Sequence, residues 1–246
     1  MNDITVILNG FKRPEKLSEQ IESLKKGSII PKNILYWQNS MPGIQYDMQT
    51  ATQCVSAFCN MNIGVWSRFY YALNARTEWI CIFDDDTIPG KLWLENCLNT
   101  FHTHPGLLGT IGVIFPDSGV YHNVHRIGWD KPNEKVTEVD IVGHSWFFNR
   151  DMLSLFTREL PPLDIINLSD KVGEDIHFSY MLQKYSNYKT YVPPHPKDNK
   201  EMWGSLKGWE YGGDRNATAG NSTNMIAMNR YLQYVKENGF QLIKDR

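Results

Sequence analysis

The sequence has few cysteines and no long apolar run. Only four of its 246 residues are cysteine, and no two of them have C-x-x-C spacing. We therefore expect reduced thiols and a cytoplasmic protein. No stretch of about 18 apolar residues is present to span a bilayer. The short apolar segment near the N-terminus lacks the basic start of a signal peptide, and we interpret it as a strand.

The sequence also lacks a charge of one dominant sign. It has 25 basic and 27 acidic residues, a formal net charge of −2. A general affinity for nucleic acid or for anionic membranes is therefore not expected, and any anion-binding site must be local. There is no internal repeat, and the length suits one compact α/β unit.

Apolar segments in the first third alternate between strand and helix patterns. Strands are predicted at Ile4–Gly10, Asn33–Asn39 and 78–86, and helices at 14–26 and 64–76. Such alternation is typical of a mostly parallel, doubly wound sheet. Further strands are predicted within 107–115, 135–149 and 188–194, and helices within 90–105, 150–160, 174–185 and 225–240. Residues 195–224 are polar and glycine-rich, and we expect them to form a long, mobile functional loop.

Three consecutive carboxylates, Asp84, Asp85 and Asp86, follow the apolar segment WICIF. Like charges repel at this spacing unless solvent or a cation relieves them. Mg²⁺ and Mn²⁺ favour carboxylate oxygens and bridge them to phosphates. Alternate residues leaving a strand point the same way, so Asp84 and Asp86 could address one site while Asp85 faces elsewhere. Capping of the next helix is the plain alternative for an acidic triplet.

Several functions use acidic residues at the end of a strand. A haloacid-dehalogenase-like phosphatase has a D-x-D motif whose first Asp is a nucleophile, usually on the first strand, whereas about eighty residues come first here. A sugar-phosphate nucleotidyltransferase builds a similar metal-triphosphate site. A sugar-binding module that has the fold of such an enzyme but no catalytic activity is a further alternative.

The triplet resembles the D-x-D motif of GT-A glycosyltransferases, and the order of the surrounding motifs is closest to that of the exostosin-like family. The resembling segments are ILNGFKRPEKL, LYWQN, NMNIGVWSRFYYAL, IVGHSWFFNRDMLSLF and VGEDIHFSYML. The resemblance implies a mostly parallel central sheet flanked by helices, with a smaller acceptor-side sheet. It also implies a single domain over 1–246, with a nucleotide-sugar half at about 1–116 and an acceptor half at about 117–246.

The resemblance implies a metal-dependent enzyme that moves a sugar from a nucleotide-diphosphate donor, a UDP-sugar first, to an acceptor hydroxyl. Retention of configuration is the exostosin-like outcome, and inversion is the alternative within the same fold. The acceptor would be a saccharide or another hydroxyl compound, with DNA not excluded, and the oligomeric state is open.

The resemblance assigns roles to individual residues. The catalytic acids would be Asp175 and Glu174. The cation, Mn²⁺ or Mg²⁺, would be bound by Asp86, Asp84 and a late histidine, His195. The nucleotide sugar would be bound by Arg13, Asn39, Asn62, Arg68, Asp84 and Asp85. The donor or acceptor cleft would be bordered by His144, Ser145, Trp146, Trp203 and Arg215.

Overall fold

The computed structural model describes residues 3–116, 120–121, 124–129, 131–166, 172–213 and 221–246. Its strands are β1 Ile4–Gly10, β2 Asn33–Asn39, β3 Val55–Cys59, β4 Trp79–Phe83, β5 Gly106–Leu108, β6 Ile111–Ile114, β7 His125–Gly128, β8 Thr137–Glu138, β9 Ile141–Gly143, β10 Ser145–Asn149 and β11 Lys189–Val192. Its α-helices are α1 Leu17–Lys25, α2 Met48–Ala51, α3 Ser67–Tyr71, α4 Trp93–Thr103, α5 Leu153–Phe156, α6 Leu163–Ile166, α7 Glu174–Tyr185, α8 Trp209–Gly212 and α9 Ser222–Glu237.

Within these residues a large sheet has the strand order β3-β2-β1-β4-β10-β5-β11-β8. Strands β3, β2, β1 and β4 are mutually parallel, and β10 runs antiparallel to both of its neighbours. The carboxyl ends of β1, β2 and β4 therefore meet at one edge of the sheet, which is where ligands bind in open α/β sheets. A smaller antiparallel sheet has the order β7-β6-β9.

The core lies on both faces of the large sheet, as strand β4 shows. Ile80 and Ile82 pack into one hydrophobic cluster, whereas Trp79, Cys81 and Phe83 pack into the other. All five side chains are buried. This explains why the strand is a continuous apolar segment in the sequence and does not alternate with polar residues. Burial on both sides holds the end of the strand, and hence the acidic triplet, in a defined position.

The predicted fold class is confirmed: a mostly parallel central sheet is flanked by helices, and a smaller sheet accompanies it. Strands β1 and β2 have the predicted bounds. The division into two halves near residue 116 stays a prediction, and strands from both halves contribute to the large sheet. In the described part of the chain, no helix is long and apolar enough to cross a membrane.

Four local predictions differ from the structure. The helix predicted at 64–76 is only α3 followed by a 3-10 turn at Ala72–Asn74. Strands β3 and β7 were not predicted; β3 is an edge strand whose Val55 and Phe58 are exposed, so it lacks an alternating apolar pattern. The segment predicted as a loop at 195–224 contains buried residues, His195, Trp203 and Ser205, and the short helix α8. The polar composition of this segment concealed these packing contacts. Its mobility stays a prediction, and residues 214–220 lie outside the described residues.

Candidate active site

A cavity of about 500 Å³ opens at the carboxyl ends of β1, β2 and β4 and continues to the smaller sheet. Its lining includes most of the residues that the sequence predicts for the site. These are Arg13, Asn39, Asn62, Arg68, Asp84, Asp85, Asp86, His144, Trp146, Glu174 and Asp175. The fold thus brings together side chains that are up to 162 positions apart, from 13 to 175.

The three carboxylates of the triplet have different partners. Asp84 forms an ion pair with Arg68. Asp85 faces Arg13, with 2.7 Å between the guanidinium nitrogen and the carboxylate oxygen. Asp86 lies 3.4 Å from Arg13 and 3.4 Å from Nδ1 of His144. The repulsion within the triplet is therefore offset by surrounding cations.

The backbone of the turn after β4 is held from two sides. The amide of Asp84 donates to the carbonyl of His144 at 3.0 Å, which links the turn to the start of β10. Gln20 of α1 donates its side-chain amide to the carbonyls of Asp84 and Thr87. These bonds satisfy buried carbonyls and fix the direction in which the carboxylates point.

Burial and charge separate the acidities of Asp85 and Asp86. Burial and the neighbouring Asp86 raise the pKa of Asp85 to about 7, although Arg13 opposes the shift. Burial also acts to raise the pKa of Asp86, but His144 and Arg13 outweigh it and lower this pKa to about 2. Asp86 is therefore the carboxylate that stays ionised, which a cation ligand requires.

Three residues could hold a divalent cation. Asp84, Asp86 and His144 offer ligand atoms that lie within 4.8 Å of one another. His144 has a left-handed backbone with φ of 63°, unusual for a residue other than glycine. The centre of its ring lies 4.7 Å from that of Trp129, with the two planes tilted by 31°. Two carboxylates and an imidazole suit Mn²⁺ better than Mg²⁺, which prefers oxygen ligands alone.

Arg68 joins the acidic triplet to the acid pair at the start of α7. Its side chain is 3% exposed and reaches both Asp84 and Glu174, the latter at 2.6 Å. The guanidinium also lies 4.3 Å from the ring centre of Trp146. Burial lowers the pKa of Arg68, but the two carboxylates outweigh this and raise it. A buried arginine between two carboxylates fixes their relative position.

Asp175 lies in the first turn of α7 and lines the cavity. Its Oδ1 accepts from the amide of Ile176 at 2.8 Å. Burial and the adjacent Glu174 raise the pKa of Asp175 to about 8. Burial raises the pKa of Glu174 as well, against the effect of Arg68. A carboxylate with such a raised pKa is suited to proton transfer near neutral pH.

The asparagines predicted for nucleotide binding shape the turn before α3. Asn39 donates to the carbonyl of Gly64 at 3.2 Å and accepts from the amide of Ile63 at 3.3 Å. Asn62 accepts from the amide of Gly64 at 2.9 Å. Both side chains line the cavity, and they also hold the loop that delivers Arg68.

Three of the predicted site residues that the structure describes, His195, Ser145 and Trp203, do not line this cavity. His195 has no exposed surface; its Nδ1 donates to the carbonyl of Pro193, and its Nε2 accepts from the amide of Gly204. It therefore cannot serve as the predicted metal ligand in this structure, and His144 lies beside Asp86 instead. Ser145 is buried against Thr110, and Trp203 donates to the carbonyl of Pro196. Arg215 lies outside the described residues.

The lining residues that the sequence interpretation missed include Lys12, Tyr121, Arg126 and Trp129. Lys12 follows the end of β1 beside Arg13, so its position in the chain was a usable signal. The other three belong to a segment without a clear helix or strand pattern. Only the pairing of β6 with β7 brings Arg126 to the cavity.

The comparisons with known proteins point to one class of enzyme. Residues 65–160 match the family described as Glycosyl transferase family 2, a span that includes Arg68, the acidic triplet and His144. Comparison with curated proteins gives no match. The family that matches is therefore not the exostosin-like family that the sequence resembles.

Solved structures similar to this chain include two of TarS from S. aureus. For the 1–349 form in complex with UDP-GlcNAc, the identity is 15%, the TM-score is 0.55, and the match covers 78% of this chain and 56% of that one. For TarS itself, the identity is 16%, the TM-score is 0.54, and the match covers 78% of this chain and 35% of that one. A third similar structure is that of the mannosyltransferase PcManGT from Pyrobaculum calidifontis in complex with GDP-Man and Mn²⁺. The identity is 18%, the TM-score is 0.50, and the match covers 80% of this chain and 58% of that one.

The matched parts amount to between about a third and three fifths of those longer chains. At these identities the likeness shows the fold, which is GT-A-like. The family match over residues 65–160, together with this fold and the acidic cavity, supports a glycosyltransferase.

Proposed function

We propose that the chain transfers a sugar from a nucleotide-diphosphate donor to an acceptor hydroxyl, with a bound divalent cation and with Asp175 as the general base. One observation carries the proposal. A single cavity contains a cluster of two carboxylates and an imidazole, and also Asp175 with its raised pKa.

The donor side of the cavity suits a nucleotide diphosphate. A cation bound by Asp84, Asp86 and His144 would supply neutralisation of the negative charge on the leaving diphosphate. Lys12 lines the same region and forms no ion pair with another described residue. Its ammonium group is therefore available to a phosphate oxygen. Phe11 and the asparagines at 9, 39 and 62 supply a ring and amides for the base and ribose.

We propose a UDP-sugar as the first donor to test, with a GDP-sugar as the second. A solved structure of TarS holds UDP-GlcNAc, and one of PcManGT holds GDP-Man and Mn²⁺. We propose Mn²⁺ as the preferred cation because an imidazole lies beside the two carboxylates.

The proposed chemistry is direct displacement. The carboxylate of Asp175 accepts the proton of the acceptor hydroxyl, whose oxygen bonds to the anomeric carbon while the bond from that carbon to the diphosphate breaks. Direct displacement inverts the configuration. Retention was implied by the exostosin-like resemblance alone, and the base role of Asp175 favours inversion. NMR of the product anomer distinguishes the two outcomes.

The metal and donor sites are tested by thermal unfolding with each nucleotide sugar and either Mn²⁺ or Mg²⁺. We expect a donor to raise the melting temperature in the presence of Mn²⁺. At a hundredfold excess of donor over its dissociation constant, the free energy of unfolding should increase by roughly 2.7 kcal/mol. Asp86→Asn should lose this shift. Asp198→Asn, a change at an exposed carboxylate away from the cavity lining, should keep it.

The base assignment is tested by comparing binding with transfer. Asp175→Asn should retain the Mn²⁺-dependent donor shift and lose transfer by about 10²-fold or more. Unchanged transfer by this variant would refute the assignment. Incorporation of a sugar phosphate with NTP, instead of transfer from a nucleotide sugar, would identify a nucleotidyltransferase.

A further inference from the structure

The part of the cavity formed by the smaller sheet has a mostly apolar wall. Its aliphatic side chains come from two strands, β6 and β9, from the segment before α7 and from α9. They are Ile111, Val113, Ile141, Val142, Val172 and Met228. A neutral polyhydroxylated acceptor would find few hydrogen-bond partners on such a wall.

One cation interrupts this apolar wall. Arg126 of β7 is paired in register with Val113 of β6, which is paired in turn with Ile141 of β9. Residues in register across a sheet project their side chains from the same face. All three line the cavity, so the side chain of Arg126 enters the cavity from the edge strand beside the aliphatic Val113.

Arg126 differs from the other arginines of the cavity. Arg13 and Arg68 each form an ion pair with a carboxylate of the triplet. Arg126 is half-buried and lines the cavity, yet in the part of the chain that the structure describes it forms no ion pair. A guanidinium without a partner in an apolar surrounding is unfavourable, and an anion in the cavity would relieve it.

Tyr121, Arg126 and Asp175 all line this cavity. Burial and the negative charge of Asp175 raise the pKa of the Tyr121 phenol, while the positive charge of Arg126 lowers it. Both groups therefore act on the same phenol from within one cavity. An acceptor molecule that places its hydroxyl at Asp175 can present a second group to Arg126.

We propose that the acceptor is an anionic compound, in which a phosphate or carboxylate group adjoins an apolar portion, and that Arg126 binds the anion. This inference rests on the proposed function. Arg126 would select the acceptor, while Asp175 takes the proton of its hydroxyl. A charge-assisted contact of this kind gives both orientation and specificity.

The test uses phenyl phosphate as the probe, because it combines an apolar ring with an anion. The protein is first saturated with Mn²⁺ and UDP or GDP, so that the donor phosphate site is filled. Titration calorimetry then measures phenyl phosphate binding. We expect the affinity to fall about tenfold or more in Arg126→Gln, and less in Arg126→Lys. Phenyl β-glucoside, a neutral analogue, should bind Arg126→Gln and wild type alike.

Lys131→Gln is the matched control, since it removes one positive charge at an exposed position near β7 that does not line the cavity. It should bind phenyl phosphate like wild type. Equal losses in Lys131→Gln and Arg126→Gln would overturn the proposal, because they would indicate a general effect of charge. Absence of phenyl phosphate binding to wild type would also overturn it.

The first titration separates this proposal from the one on which it rests. If wild type binds neither nucleotide with Mn²⁺, the proposed function fails and the anionic acceptor fails with it. If Mn²⁺ and nucleotide bind wild type and Arg126→Gln equally but phenyl phosphate does not distinguish the two, only the assignment of Arg126 is wrong.

Discussion

At the scale of single residues, the cavity is a set of buried charges held in pairs. Arg68 contacts Asp84 on one side and Glu174 on the other. Asp86 is held by His144 and Arg13. Breaking a buried pair on one side costs more than the pair itself contributes, because an unpaired charge remains. A substitution that removes one of these charges should therefore lower stability, whereas one that keeps the charge and changes its geometry should mainly lower activity.

Arg68→Lys should impair transfer more than it impairs folding. Lysine keeps the positive charge but lacks the planar fork that reaches two carboxylates at once. We expect turnover to fall about tenfold or more with little change in the Michaelis constant for the donor, as measured by steady-state kinetics. Arg68→Met should destabilise the protein by roughly 3–5 kcal/mol.

Arg158→Lys provides the control for this substitution. The guanidinium of Arg158 also lies over an aromatic ring, 4.1 Å from the ring centre of Tyr185, but Arg158 is not among the residues that line the cavity. Its replacement should leave turnover unchanged. If Arg158→Lys and Arg68→Lys reduce turnover equally, the bridging role of Arg68 is wrong.

The rate of transfer should increase with pH through the raised pKa of Asp175. A general base acts in its ionised form, and burial beside Glu174 raises the pKa of Asp175 to about 8. The base is therefore mostly protonated at pH 6 and mostly ionised at pH 9. We expect transfer at saturating donor to rise about tenfold per pH unit well below this pKa and to level off above it. A flat profile between pH 6 and 9 would argue against Asp175 as the base.

At the scale of elements, the approach to α7 sets the direction of the acid pair. Gly173 precedes the helix with φ of +100°, a conformation that other residues rarely adopt. A Cβ at this position would lie 2.9 Å from the ring of Tyr231 in α9. The chain thus turns sharply and closely against α9 just before Glu174 and Asp175.

Gly173→Ala should lower both stability and turnover. The left-handed backbone alone costs about 1–2 kcal/mol for alanine, and the contact with Tyr231 adds to it. Thermal unfolding and kinetics should be compared with Gly239→Ala, where φ is also +100° but nothing lies within 4 Å of the added Cβ. The control should show the backbone cost and unchanged turnover. Equal melting temperatures and equal turnover in the two variants would contradict the importance of the Tyr231 contact.

At the scale of the whole molecule, buried histidines connect segments that are distant in the chain. His177 of α7 interacts through Nδ1 with the hydroxyl of Tyr231 and through Nε2 with the carbonyl of Phe156. His195 holds the turn at Gly204 against Pro193. Burial lowers the pKa of each histidine to about 4. Both are therefore neutral in the folded protein near neutral pH.

This burial makes the contribution of His195 depend on pH. Because its folded pKa is about 4 and its ordinary value is 6.5, its contribution is complete above pH 6.5 and is lost as the pH falls toward 4. Glutamine does not titrate. The difference in melting temperature between wild type and His195→Gln should therefore shrink from pH 7.5 to pH 5. A difference that grows over this range would mean that His195 is charged in the fold.

Local pattern was sufficient to predict the strands whose carboxyl ends border the cavity. Ile4–Gly10 and Asn33–Asn39 are apolar runs with clear ends, and the acidic triplet directly follows a third run. The triplet was recognised because it directly follows a buried strand, and the Glu174-Asp175 pair was assigned through the family resemblance. Edge strand β3 and the segment around β7 have no such pattern, since their exposure and pairing depend on neighbours.

The central strands, the fold class and the acidic triplet could be predicted from the sequence, because each depends on residues that are near one another in the chain. Which charges pair depends on the packing of distant segments. Arg68 meets Glu174 across 106 positions, and His144, not His195, lies beside Asp86. The same packing brings Arg126 to the cavity. Such contacts follow from how the two sheets and α7 pack around one cavity, and spacing along the chain contains no measure of that packing.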